Sequence, residues 1–275
     1  MTEDEQGQPG IDGLELAPDV AGEGQAEGAD GTKPAPTALP DGPVLVVAAH
    51  PDDPDFGCGA TMARLTQEGR HVAVVVVTDG TEGGEDPATP DEELRDRRER
   101  EQRAALAELG VHDVEFLRQP DGRLQPALEV RHALTRLIRR YRPATVFAHD
   151  PTAHLFDGYI NHPDHRAAGL VTLDAVFPAA GNPRAFRDLL AEGLAAHKVK
   201  MVYLFYTANA NAWIDVAGAP LDRKIAGLAH HESQLGPDWD YATWMREGAA
   251  RTAKEAGEEG GLEAAEGFRR IILGD

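Results

Sequence analysis

Residues 44–61 read VLVVAAHPDDPDFGCGAT, an apolar run that ends abruptly in a histidine and a cluster of carboxylates. The run has the length and the β-branched content of a buried strand. His50, Asp52, Asp53 and Asp55 follow directly after it. In an open parallel sheet, ligands bind in the crevice at the carboxyl ends of the strands. The stretch therefore predicts a functional site immediately after the first strand.

Two prolines stiffen the turn that carries these acidic residues. Pro51 and Pro54 fix φ at two positions, which lowers the entropy lost in holding the carboxylates at set angles. A solvated acidic turn is the ordinary interpretation of two adjacent aspartates. The histidine at the strand end favours another one, because imidazole nitrogen and carboxylate oxygen are ligands that a divalent metal such as zinc accepts. Such a site needs a further histidine from elsewhere in the chain.

The rest of the chain alternates strand and helix patterns. Further strands are predicted at residues 71–80, 114–117 and 144–149, with edge strands at 198–206 and 213–216. Helices are predicted at residues 57–69, 92–109, 127–141, 162–176 and 220–233, with helix and loop in the remainder to Asp275. This alternation is typical of an α/β fold, a mostly parallel sheet sandwiched by helices in a single domain.

The first 42 residues differ in composition from the rest. They contain ten Asp or Glu and one lysine, are rich in Gly and Pro, and lack aromatic residues. Such a segment buries too little apolar surface to offset its ordering entropy, so we predict a disordered acidic tail and one domain over residues 43–275.

The tail holds nine of the 20 net negative charges. Because the remainder is still acidic and lacks a basic stripe, we expect no nucleic-acid partner.

The sequence also restricts location and covalent chemistry. No stretch approaches the roughly 20 apolar residues of a membrane span, and the N-terminus lacks a signal pattern. We therefore expect a cytoplasmic protein without a membrane span.

Cys58 is the sole cysteine, which excludes an intrachain disulfide and a cysteine-based zinc site. The sequence leaves the formation of a homo-oligomer open.

A second histidine motif follows the strand predicted at residues 144–149. HPDH at residues 162–165 places His162 and His165 at a helix start, where both can point away from the packing face. Both motifs lie on the carboxyl side of the same sheet. His50, Asp53 and His165 therefore form a predicted catalytic metal site, in which further coordination positions stay open for water and substrate.

The two motifs together resemble the LmbE-like deacetylases, also called the GlcNAc-phosphatidylinositol de-N-acetylase or PIG-L family. The resemblance covers about residues 43–235 and is carried by HPDD at 50–53, GCGAT at 57–61, REREQRAALAELG at 98–110 and HPDH at 162–165. It implies a Rossmann-like fold and the hydrolysis of a small N-acylated substrate, usually an N-acetylated aminosugar conjugate. The implied cofactor is Zn²⁺, with another divalent metal such as Fe²⁺ as the alternative.

The resemblance also implies a role for individual residues. It makes His50, Asp53 and His165 the metal ligands and Asp52 the general base. His162 becomes the group that stabilises or protonates developing charge. Two further implied roles are an orienting function for Asp164, directed at one of the histidines, and substrate contact for Arg98 and Asp121.

Other matches to the family come without a derived role. Glu101, in the R-x-x-E run, lies at a position near the substrate in the family, and His231 belongs to an H-x-S-Q element. Pro54 is a departure, because many relatives have glutamate at this position. Asp55 is then the equivalent acidic residue.

Four other functions are alternatives to an aminosugar deacetylase. A nucleotide- or NAD-binding α/β protein is disfavoured, because the acidic turn after the first strand would repel a pyrophosphate. A metal-dependent sugar-binding protein without turnover stays open, as does an amidase of a thiol conjugate or secondary metabolite. A two-histidine, one-carboxylate Fe(II) oxygenase shares the ligand types but usually has a β-barrel scaffold.

Overall fold

The structure is a computed structural model that describes residues 39–84, 86–156, 159–236, 238–257 and 261–274. The predicted acidic tail lies outside the described residues, apart from its last four positions. The strands are β1 (Val44–Ala48), β2 (Val72–Thr78), β3 (Asp113–Gln119), β4 (Thr145–His149), β5 (Leu155–Phe156), β6 (Tyr159–Ile160), β7 (Met201–Phe205), β8 (Ala212–Asp215) and β9 (Ala265–Ile272).

A seven-stranded sheet runs through the molecule in the order β3-β2-β1-β4-β7-β9-β8, and β5 pairs with β6 separately. The strands from β3 to β7 in this order are parallel, whereas β9 runs antiparallel to both β7 and β8. Every residue of β1, β2 and β4 is buried. Such continuous apolar strands are expected where helices cover both faces of a parallel sheet.

The helices lie on both sides of this sheet. They are α1 (Asp53–Gln67), α2 (Asp91–Glu108), α3 (Leu128–Tyr141), α4 (Pro163–Asp174), α5 (Arg187–Ala191), α6 (Ala219–Leu228) and α7 (Tyr241–Glu255), and a π-helical segment, Ala175–Ala180, continues α4. Side chains alternate across a strand, so Val46 joins one core cluster with Leu106 of α2, and Val47 joins the other with Leu134 of α3. The predicted α/β sandwich is confirmed.

Three sequence predictions of individual elements were wrong. The first helix begins at Asp53 and not at residue 57, because Pro54 suits the first helical turn and the acidic motif is itself helical. The strand predicted at an edge over residues 198–206 is internal, since β7 lies between β4 and β9. The segment predicted as helix and loop near the C-terminus contains β9, in which Glu266, Arg269 and Arg270 interrupt the apolar pattern.

No helix of the described residues combines the length and the apolar character that crossing a bilayer requires.

Candidate metal centre

The two histidine motifs meet at the carboxyl ends of β1 and β4, which are neighbours in the sheet. The carboxylate of Asp53 lies between the rings. Its Oδ2 is 3.2 Å from Nδ1 of His50, and its Oδ1 is 3.1 Å from Nε2 of His165. The centroids of these two rings are 5.1 Å apart. The three residues predicted as ligands are therefore brought together around one carboxylate, within overlapping groups of possible ligands that include His50, His162 and His165 and also Asp53, His149 and His165.

The second nitrogen of each ring has its own oxygen partner. Nδ1 of His165 is 3.1 Å from Oδ1 of Asn161, so it carries the proton and leaves Nε2 as a lone-pair donor. Nε2 of His50 is 3.0 Å from Oδ1 of Asp121 and 3.5 Å from Oδ2 of Asp164, which leaves Nδ1 toward Asp53. Outer partners of this kind orient the histidines of metal sites. The donor set therefore fits a divalent cation.

Burial and charge act on these groups in opposite directions. Burial alone would raise the pKa of Asp53, but His165 and His149 outweigh it and hold this pKa well below its usual range. Burial likewise lowers the pKa of His50, yet contacts with Asp121, Asp164 and Asp53 raise it well above its usual value. An ionised carboxylate at Asp53 is the form that binds a cation.

His149 is a functional candidate that the sequence analysis missed. It ends β4, and its Nε2 lies 3.2 Å from Oδ2 of Asp53 and accepts the N–H of Ala49 at 3.0 Å. Its ring stacks on His165 with centroids 4.3 Å apart. Burial, followed by the neighbouring His165, lowers the pKa of His149 to about 4, so the ring is neutral at pH 7. Its position at the end of a buried strand, as for His50, was the available signal.

Asp52 lies beside the predicted ligands with an unusual backbone. Its φ of 101° is in the region that side chains other than glycine rarely adopt. Its carboxylate Oδ2 accepts a hydrogen bond from Nη2 of Arg98 at 3.2 Å. Burial raises the pKa of Asp52 to about 6, with Arg98 opposing and Asp53 adding to the rise.

The guanidinium of Arg98 is buried behind this turn, with 3% of the residue exposed. Besides Asp52, it donates to the carbonyl oxygens of Pro51 at 2.9 Å and Gly80 at 2.7 Å. These contacts hold the acidic turn against the loop after β2. The substrate contact expected of Arg98 stays a prediction.

Asp121 and Asp164 both face His50. Asp164 accepts the N–H groups of Gly122 at 2.8 Å and Leu124 at 3.1 Å. Oδ2 of Asp164 also lies 3.5 Å from Nε2 of His50, so His50 is the histidine that the Asp164 carboxylate contacts. Burial would raise the pKa of Asp121, but its contact with His50 lowers the pKa to about 2. The predicted substrate contact of Asp121 stays untested beside this observed one.

His162 begins α4 and is partly exposed at the mouth of the centre. Its Nδ1 accepts the N–H of Asp164 at 3.2 Å, so in the neutral ring the proton is on Nε2. Burial lowers the pKa of His162, and His50 and His165 lower it further. A neutral ring that presents an N–H is therefore the form favoured here.

The remaining predicted residues lie one layer further back. His231 is buried, with Nε2 at 3.3 Å from Oδ2 of Asp55. Glu101 accepts hydrogen bonds from the N–H of Ser233 at 3.1 Å and from its hydroxyl at 2.5 Å. Cys58 is buried inside α1.

The comparisons with known proteins agree with this geometry. The family model described as GlcNAc-PI de-N-acetylase, PIG-L, matches residues 45–176. The chain is 35% identical over 230 residues to the diacetylchitobiose deacetylase of Thermococcus kodakarensis, covering 83% of this chain and 82% of that protein. The chain belongs to the PIG-L family.

A second relative and a solved structure support this assignment. The 1D-myo-inositol 2-acetamido-2-deoxy-alpha-D-glucopyranoside deacetylase of Streptomyces griseus is 36% identical over 190 residues, which cover 60% of this chain and 56% of that protein. The N,N'-diacetylchitobiose deacetylase of Pyrococcus horikoshii, solved with its inhibitor MPG, has a TM-score of 0.74 and 31% identity, with 83% of each chain covered. The predicted family, fold and enzyme class, an amide hydrolase acting on N-acetyl groups, are confirmed.

Proposed function

We propose that this PIG-L family member is a zinc-dependent N-deacetylase that removes acetate from an N-acetylglucosaminyl or related aminosugar conjugate. The observation that carries the proposal is that His50 and His165 both contact the carboxylate of Asp53, with Asp52 beside it.

His50, Asp53 and His165 would hold the metal ion through Nδ1, the carboxylate and Nε2. When bound, a divalent metal polarises a carbonyl oxygen and makes water a stronger acid. Two imidazole nitrogens and one carboxylate form a donor set that catalytic zinc sites use. Fe²⁺ binds the same ligand types, so the identity of the metal as zinc is itself part of the proposal.

Asp52 takes the proton from the attacking water. Its side chain is held by Arg98 at one carboxylate oxygen, which leaves the other oxygen for proton transfer. A pKa raised to about 6 is close to the pH at which a general base both stays ionised and accepts a proton readily. The protonated acid can then return that proton to the leaving amine.

His162 donates a hydrogen bond to the oxygen on which negative charge develops. The neutral ring has its proton on Nε2, because Nδ1 accepts the N–H of Asp164. A donor fixed at a helix start costs little reorganisation in the transition state. The role of Asp164 is then double, since its N–H orients His162 and its carboxylate orients His50.

The proposed substrate class follows from the relatives. The two curated relatives described above are named for acetyl removal from diacetylchitobiose and from an N-acetylglucosaminyl inositol. We assign this chain a small N-acetylated aminosugar substrate, and contact with it by Arg98, behind the Asp52 turn, and by Asp121, beside His50, is part of the proposal. Action in the cytoplasm and assembly into a homo-oligomer remain predictions from the sequence.

A substrate screen tests the proposed function. Metal-free protein is loaded with Zn²⁺ or Fe²⁺ and incubated with N-acetylglucosamine, diacetylchitobiose, N-acetylglucosaminyl inositol and N-acylated thiol conjugates, and the released amine is quantified. We expect amine release from an aminosugar substrate that chelation abolishes and metal restores. Binding of these sugars without amine release would make the chain a binding protein, and turnover restricted to thiol conjugates would move the substrate class.

A further inference from the structure

A buried chain of hydrogen bonds reaches the backbone of Asp52 from behind the metal centre. The N–H of Asp52 donates to Oε1 of Gln102 at 2.6 Å, and Nε2 of Gln102 donates to Oδ2 of Asp55 at 2.5 Å. Nε2 of His231 lies 3.3 Å from the same oxygen. No more than 1% of Gln102, Asp55 or His231 is exposed. The described residues thus link α2, α1 and the turn after α6 to one peptide group.

That peptide group needs support because its conformation is strained. A φ of 101° at Asp52 places an L side chain where clashes with its own backbone raise the energy. The carbonyl oxygen of Asp52 accepts the N–H groups of Asp55 at 2.9 Å and Phe56 at 3.1 Å. The N–H of Asp52 donates to Gln102 alone among the described residues, while the Pro51 carbonyl of the same peptide group accepts from Arg98. Loss of the bond to Gln102 would let the turn relax toward negative φ.

The two ends of the Gln102 amide fix its orientation. An amide turned by 180° would point its NH₂ group at the N–H of Asp52 and its oxygen at the carboxylate of Asp55, and both contacts would be repulsive. Asp55 therefore selects the amide orientation that accepts from Asp52. His231 donates to Asp55 and fixes that carboxylate in turn. In this series of hydrogen bonds, each side chain fixes the orientation of the next group, from His231 to the backbone of Asp52.

We propose that Gln102, Asp55 and His231 are positioning residues that hold the strained Asp52 turn in the geometry that proton transfer requires. Among the described residues, no side-chain hydrogen bond joins these three residues to His50, Asp53 or His165, so we assign their effect to Asp52. The catalytic consequence rests on the proposed function, whereas the effect on the Asp52 backbone does not.

The first test measures the backbone without any activity assay. Amide hydrogen exchange of the full metal-free chain is followed by NMR for the wild type, Gln102→Met and His231→Leu. Methionine has nearly the shape of glutamine but accepts no strong hydrogen bond, so exchange at the Asp52 amide should accelerate about tenfold or more, while the Val46 amide in β1 stays unchanged. Unchanged exchange at Asp52 in both variants overturns the proposal.

The second test separates kcat from KM in the zinc-loaded enzyme. Gln102→Met and His231→Leu should lower kcat by about ten- to a hundredfold, the usual effect of a misplaced catalytic group, with KM and metal content unchanged. His231→Gln keeps an N–H donor and should recover most of the activity. Thr135→Val, which removes the partly buried hydrogen bond from Thr135 to the Arg131 carbonyl far from the centre, is the matched control.

The outcomes distinguish the two proposals. A fall in activity that tracks lost zinc, or equal kcat in wild type and variants, contradicts the positioning role. If the wild type releases no amine from any aminosugar, the proposed function fails by itself, and amide exchange at Asp52 alone then decides the positioning role.

Discussion

Asp53 contacts three imidazole rings, and this one carboxylate sets the charge balance of the centre. His50 and His149 approach its Oδ2, and His165 approaches its Oδ1. His50 and His165 have their second nitrogens engaged by oxygen atoms. Nε2 of His149 already accepts the N–H of Ala49, so this neutral ring has no N–H on that nitrogen to donate to the carboxylate. The residues therefore divide into two ligand candidates and one buried neutral neighbour.

Asn161 orients His165, and its loss should weaken metal binding. Its Oδ1 is 3.1 Å from Nδ1 of His165, and its Nδ2 donates to the carbonyl of Ala153 at 2.6 Å. Removing such an outer partner typically lowers metal affinity by about 10- to 100-fold. We expect this loss for Asn161→Ala in competition titrations with a zinc chelator. Asn182→Ala, which alters a surface turn, is the control, and equal affinity in both variants would contradict the assigned orientation.

Asp52 and His165 should differ in what their removal costs. Asp52→Ala keeps the proposed ligand set, so it should retain bound zinc while losing about 10²- to 10⁴-fold in kcat, the usual contribution of a general base. His165→Ala removes a ligand and should lose both metal and activity. Metal content by elemental analysis and kcat from amine release check this prediction. Substantial activity in either variant contradicts the roles given to these residues.

At the scale of elements, α1 is two helical pieces joined at a break. Cys58 has φ −152° and ψ 24°, so the N–H groups after it lose their partners in the preceding turn. Glu266 of β9 accepts the N–H groups of Ala60 at 3.2 Å and Thr61 at 2.8 Å. Nζ of Lys224 donates to Glu266 at 2.8 Å and to the carbonyl of Phe56 at 2.7 Å. A buried ion pair thus caps the break that lets α1 begin at the metal centre.

Removing one partner of this pair should destabilise the fold. Lys224→Met leaves the carboxylate of Glu266 buried without its cation, which should lower the free energy of unfolding by about 3–5 kcal/mol. The double variant with Glu266→Gln should recover part of the loss. Arg246→Met breaks the exposed pair with Asp222 and should cost no more than about 1 kcal/mol. Urea unfolding measures all three, and equal losses in the two single variants would refute the capping role.

The turn before β7 contains a histidine whose titration affects stability. His197 is partly buried, and its Nε2 donates to the carbonyl of Pro143 at 2.8 Å. Burial lowers its pKa in the folded protein, with Pro143 opposing this shift. The unfolded chain, with a pKa of about 6.5, then binds a proton more readily than the folded one. Stability from this group is therefore present above pH 6.5 and is lost as the pH falls below it.

Replacing His197 should flatten this pH dependence. His197→Gln keeps an N–H donor but does not titrate, so its Tm should fall less than that of the wild type between pH 7 and pH 5. The exposed His112 offers the control His112→Gln, which should follow the wild type. Thermal unfolding at the two pH values checks the sign, and a steeper fall in the His197 variant would contradict it.

At the scale of the whole molecule, the sequence predicts the central strands of the sheet and the residues that follow neighbouring parallel strands. β1 and β2 were identifiable because both sheet faces are covered and their residues are uniformly apolar. The meeting of His50 and His165 followed from the shared edge of parallel strands. β9 was missed, because the partners of the buried Glu266 are distant in the chain, Lys224 by 42 residues and Thr61 by 205. The contact of His149 with Asp53 is equally non-local, and a local sequence pattern does not indicate such a pairing.

The acidic N-terminal segment should be dispensable for the fold and for the centre. Residues 1–38 hold nine Asp or Glu and one lysine, and charges beyond a Debye length of about 8 Å are largely screened at physiological salt. The described domain starts with Leu39, which packs against the core, and Pro40, whose carbonyl accepts Nη2 of Arg70 at 2.6 Å. Deleting residues 1–38 should therefore leave Tm, zinc affinity and kcat unchanged.

Deleting residues 1–42 is the matched comparison, because it also removes the acceptor at Gly42 and should lower Tm. A large loss of activity on the shorter deletion would show that the acidic segment contributes to the centre.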